Sequence, residues 1–324
     1  MRNSPVILRQ TLDPEALMDA IRNAELEPLQ LDSRPAESRM ARVLCPGICL
    51  DITEIGPAMH FTGVMPMACH TLVFAMDFPE LGHSFNFGIN HPSGYLGLFP
   101  PGGLLDAMVP AGSKVATLTL SEAEFEAALE RHFPGIPAEV KELGAGMKVG
   151  DAEQARLCRL VRAIEAEIWQ AEGEDSPRCG QSLEDLVEAF MGALRSGCED
   201  LVPPPKWRMA ERHRKLRDAR DYIAEHCGEP LVLDDLCQAI GLSPRGVENL
   251  FRDLLGITPN AYLRHRRLHQ AHKALRQGGV EPGTVKRCAL EYGFRHMGHF
   301  SHEYRALFGE CPSETLAGGK FASV

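Results

Sequence analysis

The sequence predicts a two-domain α+β protein, and three observations carry that prediction. Residues 40–120 hold short apolar runs with the two-residue alternation of strands. Beyond Ser121 the apolar residues recur at helical spacing. Three consecutive prolines, Pro203 to Pro205, separate an acidic part from a basic one. A chain of 324 residues is long enough for two separate cores.

The strands come first. "SFNFGIN" sets Phe85, Phe87 and Ile89 against Asn86, Gly88 and Asn90, as a strand with one buried face requires. "VATLTL" does the same with Ala116, Leu118 and Leu120. "CHTLVFAMDF" is apolar on both faces and suits a strand inside a closed core. "HPSGYLG" and "FPPGG" supply turns. Short strands at this spacing predict a small β-barrel or a double-sheet sandwich.

Helices follow. In "SEAEFEAALERHF", Ser121 is the predicted N-cap and Glu124 completes a capping box. Residues 151–170 place Leu157, Val161, Ile164 and Ile168 on one stripe; residues 181–196 repeat it with Leu183, Leu186, Val187, Phe190 and Leu194. Joined through "AEGEDSPRCG", the two form an antiparallel hairpin that either covers the barrel or offers a homodimer face. "CEDLVPPPKW" then breaks the chain, because consecutive prolines favour an extended, semi-rigid spacer. The predicted domains are residues 1–200, a linker over 201–210, and residues 211–324.

The net charge of −10 conceals an asymmetry. Residues 1–205 hold 15 Lys and Arg against 30 Asp and Glu, a balance of −15. Residues 206–324 hold 19 against 14, a balance of +5, with eight histidines. A basic domain meets the electrostatic requirement for holding phosphate backbones. No apolar run approaches the ~18 residues of a membrane span. "MRNSPVILRQTLDPEAL" lacks a signal peptide's apolar region, so a cytoplasmic protein with no membrane partner is expected. Ten cysteines without framework spacing predict buried thiols, and Cys45 and Cys49 of "CPGIC" form the one spacing that suits a redox pair.

Beyond the linker one motif occurs twice. "LVLDDLCQAIGLSPRGVENLFRDLLG" reads as a helix, a turn at Gly241, and a second helix with Ser243 as N-cap and Pro244 at its first position. "GTVKRCALEYGFRHMGHFSHEYRALFG" repeats the plan, turning at Gly293. Cys237-x3-Gly241 matches Ala289-x3-Gly293, and the copies end in "GITP" and "GECP". This is an internal duplication of a helix-turn-helix. On a wheel of about 100° per residue, Val247, Leu250, Phe251 and Leu254 share the buried side of the first second-helix. Arg245, Glu248, Asn249 and Arg252 fall opposite. In the other copy Phe300, Tyr304 and Leu307 are the buried stripe, and Gly298, Ser301, His302 and Arg305 face away with Met297 and His299 at the flanks. Each helix thus offers side chains able to bond base edges or phosphates.

Histidine spacing raises a rival chemistry. His296, His299 and His302 recur every third residue, yet His296 precedes the helix and no third donor joins the other two. A zinc site needs three or four donors meeting at about 2 Å, so no metal or other cofactor is expected. In "RHRRLHQAHKAL", His265, His269 and His272 share one side and read as a solvated or phosphate-facing surface. This helix, lying between the two units, would set their separation near one duplex turn, about 34 Å.

These residues closely resemble the AraC/XylS family of bacterial transcription regulators, over roughly Leu216 to Leu316. "LSPRGVENLFRDLLGITPNAYLRHRRLHQAHKAL" and "ALEYGFRHMGHFSHEYRALFGECPSE" carry the resemblance. It implies a C-terminal all-α domain with two helix-turn-helix units joined by a linker helix. Direct readout would fall to Arg245, Glu248 and Asn249, and to Met297, Gly298, Ser301 and His302. The family also implies a cupin-like N-terminal barrel, though the paired His-x-His and downstream Glu of metal-dependent cupins are missing, so an enzyme is not expected.

The function expected is a sequence-specific DNA-binding transcription regulator, an activator that answers to a small-molecule effector held in the N-terminal domain. The alternative is a ligand-independent regulator whose N-terminal domain serves dimerisation or a protein partner. Promoter DNA, RNA polymerase and a homodimer are the expected partners. Candidate effector residues are Asp51, Glu54, Phe74, Met76, Phe85 and Phe87, the acids suiting a cationic ligand such as an amine.

Overall fold

The structure is a computed structural model. It describes residues 6–12, 17, 21–32, 37–79, 85–86, 89–134, 146–171, 177–197, 208–226, 231–277 and 283–318. The proline linker, Phe87 and the side chain of Phe85 lie outside the described residues. The chain divides into two compact units, the first of Met1–Pro28, Glu37–Gly56 and Phe61–Lys206, the second of Leu29–Ala36, Pro57–His60 and Trp207–Val324.

The strands are β1 (Val6–Leu12), β2 (Glu25–Gln30), β3 (Ser38–Cys45), β4 (Ile48–Ile55), β5 (Met59–Val64), β6 (Cys69–Asp77), β7 (Phe85–Asn86), β8 (Ile89–Asn90), β9 (Tyr95–Phe99), β10 (Leu104–Val109), β11 (Ser113–Ser121) and β12 (Gly146–Lys148). They form a seven-stranded sheet in the order β1-β3-β4-β11-β6-β9-β12 and a five-stranded sheet in the order β2-β5-β10-β7-β8. The β3–β4 hairpin turns on two residues, Pro46 and Gly47, between the opposed Cys45 and Ile48. Gly47 has a φ of 74°. A Cβ there would also lie 2.7 Å from Glu124 Cγ, so both the turn and the helix beyond it call for glycine.

Two local expectations change. "SFNFGIN" is not one strand: β7 and β8 pair with each other, Phe85 opposite Asn90. A period of two is shared by a continuous strand and by the arms of a hairpin, so alternation alone does not distinguish them. "VATLTL" is buried on both faces, since Thr117 and Thr119 are covered as well as Ala116, Leu118 and Leu120.

Among the described residues of the first unit the α-helices are α1 (Glu122–His132), α2 (Asp151–Gln170) and α3 (Pro177–Ser196). Ser121 Oγ accepts from the Glu124 N–H at 3.3 Å, as its N-cap position predicts. The other half of the capping box is replaced, because the Ser121 N–H donates to the Gly47 carbonyl at 2.7 Å. Leu72, Phe74 and Met76 of β6 and Ala116, Leu118 and Leu120 of β11 pack in one core with the stripes of α2 and α3. Phe74 meets Phe190 edge-to-face with centroids 6.1 Å apart. Ile164 and Leu186 are fully buried in this core. The stripe that suited a dimer face is therefore consumed in covering the sheet. Arg9 on β1 closes the end of α2 by donating to the carbonyls of Ile168 and Ala171, each at 2.7 Å.

The second unit contains α4 (Arg208–Glu225), α5 (Leu233–Ile240), α6 (Pro244–Leu255), α7 (Pro259–Gln277), α8 (Thr284–Glu291), α9 (Met297–Phe308) and α10 (Pro312–Leu316). The pairs α5–α6 and α8–α9 turn by the same device. Gly241 and Gly293 adopt φ of 62° and 82°. The following N–H reaches back five residues in each, Leu242 to Cys237 at 3.1 Å and Phe294 to Ala289 at 2.8 Å. Both second helices end on a left-handed glycine, Gly256 and Gly309, and the next helix begins at a proline three residues on.

Candidate nucleic-acid interface and ligand cavity

Helix α6 starts at Ser243, whose Oγ accepts from the Gly246 N–H at 3.2 Å, with Pro244 preset for the first turn. Val247, Leu250, Phe251, Leu254 and Leu255 bury one side. That rotation leaves Arg245, Glu248, Asn249 and Arg252 exposed together. Arg252 Nη2 lies 4.0 Å from Glu248 Oε2, one turn away, an exposed pair that a phosphate competes with readily. Arg245 is exposed in the first turn of α6.

Helix α9 is held differently. Its N-cap is His296, which makes no side-chain cap bond. Phe300, Tyr304, Leu307 and Phe308 form the buried side. Gly298, His299, His302 and Arg305 are exposed, and Ser301 is half-buried. Met297 is partly buried against the core of α7, α8 and α9. The rings of His296 and His299 stand 6.1 Å apart and edge-on. Among the described residues no three His, Cys, Asp or Glu side chains gather as a metal site.

The α7 histidines correct one expectation. His269 and His272 are buried rather than solvated. His272 stacks on Phe308 at 4.2 Å, and its Nδ1 lies 2.6 Å from the Tyr304 hydroxyl. His269 Nε2 accepts from the Gln30 N–H at 3.2 Å, and His265 Nδ1 donates to the Gln30 carbonyl at 3.0 Å. Gln30 also donates from Nε2 to the Leu307 carbonyl at 3.0 Å, and all these residues belong to the second unit. Amphipathic rings at helical spacing give no sign of which partner covers them, which is why sequence left them in solvent.

The first unit holds a cavity of about 100 Å³. One wall is the seven-stranded sheet, through Thr53 and Ile55 on β4, Val73 and Ala75 on β6, Tyr95, Gly97 and Phe99 on β9, and Val115 and Thr117 on β11. The other wall is the second sheet, through Leu26 on β2, Phe61 on β5, and Leu105, Ala107, Met108 and Val109 on β10. His91 lines it as well, its ring 3.5 Å from that of Tyr95. Burial pushes the Tyr95 hydroxyl well above its usual pKa.

Of the residues named for an effector, Phe74 and Met76 face the helices, one position out of phase with the cavity wall. Glu54 is exposed. Asp51 is fully buried, accepts from Arg42 Nε, and does not line the cavity. Burial raises its carboxyl above the usual range against the pull of Arg42. Sequence reasoning did not name Val73, His91, Tyr95 or Thr117. The signal available was parity: in β6, residues 73 and 75 must share a face opposite to 72, 74 and 76.

A family profile described as a helix-turn-helix domain matches residues 236–318. The chain is 37% identical over 95 residues to the XylDLEGF operon transcriptional activator of Pseudomonas putida, covering 29% of this chain and 30% of that one. It is 32% identical over 127 residues to the HTH-type transcriptional regulator ArgR of Pseudomonas aeruginosa, covering 39% and 38%. The matches span under half the length of these curated relatives. A solved AraC-type DNA-binding-domain regulator from Chromobacterium violaceum is 32% identical, with 35% of this chain and 99% of that chain covered and a TM-score of 0.32.

Proposed function

The chain belongs to the AraC/XylS family of transcriptional regulators, and on that premise we propose that it is a sequence-specific promoter-binding activator controlled by a small molecule. The two helix pairs act as two helix-turn-helix units, with α6 and α9 as readers and α7 setting their spacing. One observation carries the reading: each of α6 and α9 buries one side and turns a cluster of polar side chains outward, on a part of the chain with a balance of +5. Arg245, Glu248 and Asn249 read bases from α6, and Ser301 and His302 from α9. Arg252 and Arg305, nearer the later turns, hold phosphates. The β-rich, cupin-like first unit is the sensor, and its cavity takes the effector. Promoter DNA, RNA polymerase and a second copy of the chain are the partners on this reading.

The test is selection of duplex sites by the full-length chain from a random library, followed by a salt titration of the selected site. An asymmetric consensus should emerge. Affinity should fall with salt at a log–log slope of about −0.9 per neutralised phosphate. Binding without sequence preference, or binding insensitive to salt, would remove the proposal.

A further inference from the structure

The cavity in the first unit has a composition that specifies what it accepts. Among the described residues that line it, none is charged, and only Thr53, Thr117, His91 and Tyr95 carry polar side-chain atoms. The Tyr95 hydroxyl is directed to β12, where a Cβ on Gly146 would lie 1.8 Å from it. The ring, rather than the hydroxyl, is thereby left to the cavity, and it lies tilted by 32° against the His91 ring. The polar points are then His91 and the two threonines.

The buried ion pair on β3 and β4 does not supply a counter-charge. Asp51 is two positions from Thr53 on β4, but it is paired with Arg42, its opposite in the β3–β4 register. It also receives the Arg22 N–H at 3.4 Å. A buried ion without a partner or a full set of hydrogen bonds is strongly disfavoured. A carboxylate or an ammonium group would enter this cavity on those terms. Size adds a second limit. A cavity of about 150 Å³ holds benzene, and this one measures about 100 Å³. Met108, an unbranched wall residue with adaptable torsions, can take up a small expansion.

We propose that this cavity binds an uncharged, mainly apolar molecule of about one ring, carrying at most one hydrogen-bonding group, and excludes carboxylates, amines and sugars. The inference rests on the reading of the first unit as a sensor and names the ligand chemistry of that site. His91 and the threonines orient the single polar group, and the Phe61, Phe99 and Tyr95 rings with Val73 and Ala107 enclose the remainder.

The experiment uses the full-length chain and four probes of similar size: toluene, phenol, benzoate and benzylammonium, at pH 7.5. Unfolding midpoints and direct titration are read for each. The expected result is a saturable rise in midpoint with toluene or phenol, and binding about tenfold or more tighter than either ion. Ala107→Phe, which fills the space, should abolish that rise while unfolding stays cooperative; Ala75→Val is the milder variant and should weaken it. Equal or tighter binding of benzoate or benzylammonium overturns the ligand class. No binding of any neutral probe, or unaltered binding in both variants, overturns the site. DNA affinity measured with and without phenol separates the two readings: binding of phenol with unchanged DNA affinity leaves the cavity assignment standing and removes the sensor function.

Discussion

His272 on α7 and Tyr304 on α9 are joined by a 2.6 Å hydrogen bond inside the core of the second unit. The chain of bonds continues. The Tyr304 hydroxyl donates to Thr315 Oγ1 at 2.8 Å, and Thr315 donates to the buried Glu310 carboxylate. With each hydroxyl proton committed in that direction, His272 donates from Nδ1 to Tyr304. Helix α9, proposed to read DNA, and helix α7 are thus tied by a directional polar chain as well as by Phe300, Leu307 and Phe308.

Tyr304→Phe keeps the ring and removes the link. His272 and Thr315 then lose a bond in a buried setting, at a cost of about 1–3 kcal/mol. The expected outcome is a lower denaturation midpoint with little change in its denaturant slope. DNA affinity should fall only through that loss, and should recover under stabilising conditions. A variant as stable as the parent would show that the polar chain contributes nothing.

Arg245→Ala and Arg305→Ala separate reading from anchoring. Arg245, at the start of α6, should lose about 1–3 kcal/mol at the preferred site and relax discrimination at one or two base pairs. Arg305, exposed in the last turn of α9, should weaken preferred and random duplexes alike and flatten the salt dependence. Comparison of specific and random duplex binding for both variants checks this. Equal losses on both duplexes for Arg245→Ala would remove its reading role.

The second unit was largely legible in sequence because its signals are local. Gly241 and Gly293 stop helices, Ser243 and Pro244 start one, and a stripe such as Val247-Leu250-Phe251 fixes rotation within two turns. The first unit was legible as strands and helices but not as a site. Phe74 and Val73 are both apolar neighbours in β6, and which of them meets the helices is decided by pairing with β9 and β11. The Arg42–Asp51 pair lay nearer to hand. A two-residue turn at Pro46-Gly47 puts residue 42 opposite residue 51. That turn alone makes Asp51 the partner of Arg42 rather than an acid available to an effector. The histidines of α7 were misplaced because the groups that cover them, Gln30 and Phe308, come from distant sequence.

Those histidines predict a pH dependence of the second unit's stability. Burial lowers His269 well below its ordinary value of 6.5, and like-charge repulsion from its neighbours His272, His265 and Arg266 adds to the effect. Burial lowers His265 too, against its bond to the Gln30 carbonyl. The folded unit therefore binds fewer protons than the unfolded chain as acidity rises past pH 6.5. Stability is fully present above that pH and declines as pH falls through it. The unfolding midpoint should drop between pH 7.5 and 5.5, and His269→Gln should reduce the drop. A midpoint that rises on acidification would contradict the assignment.

Gly298 offers the most direct test of the face on α9. It is exposed in the first turn of the helix, and a Cβ there would meet nothing within 4 Å. Its backbone is helical, so no left-handed conformation requires glycine. Gly298→Ala should stabilise the helix by up to about 1 kcal/mol, through backbone entropy alone. Gly298→Gln adds an amide that can bond adenine at two points. If this face enters a major groove, both variants should gain in stability while only the glutamine variant shifts the selected sequence, toward adenine at one position. Site selection with both proteins reads the difference. An unchanged consensus for Gly298→Gln, at full stability, would mean that this end of α9 does not meet base edges and that the helix serves to position the chain on the backbone.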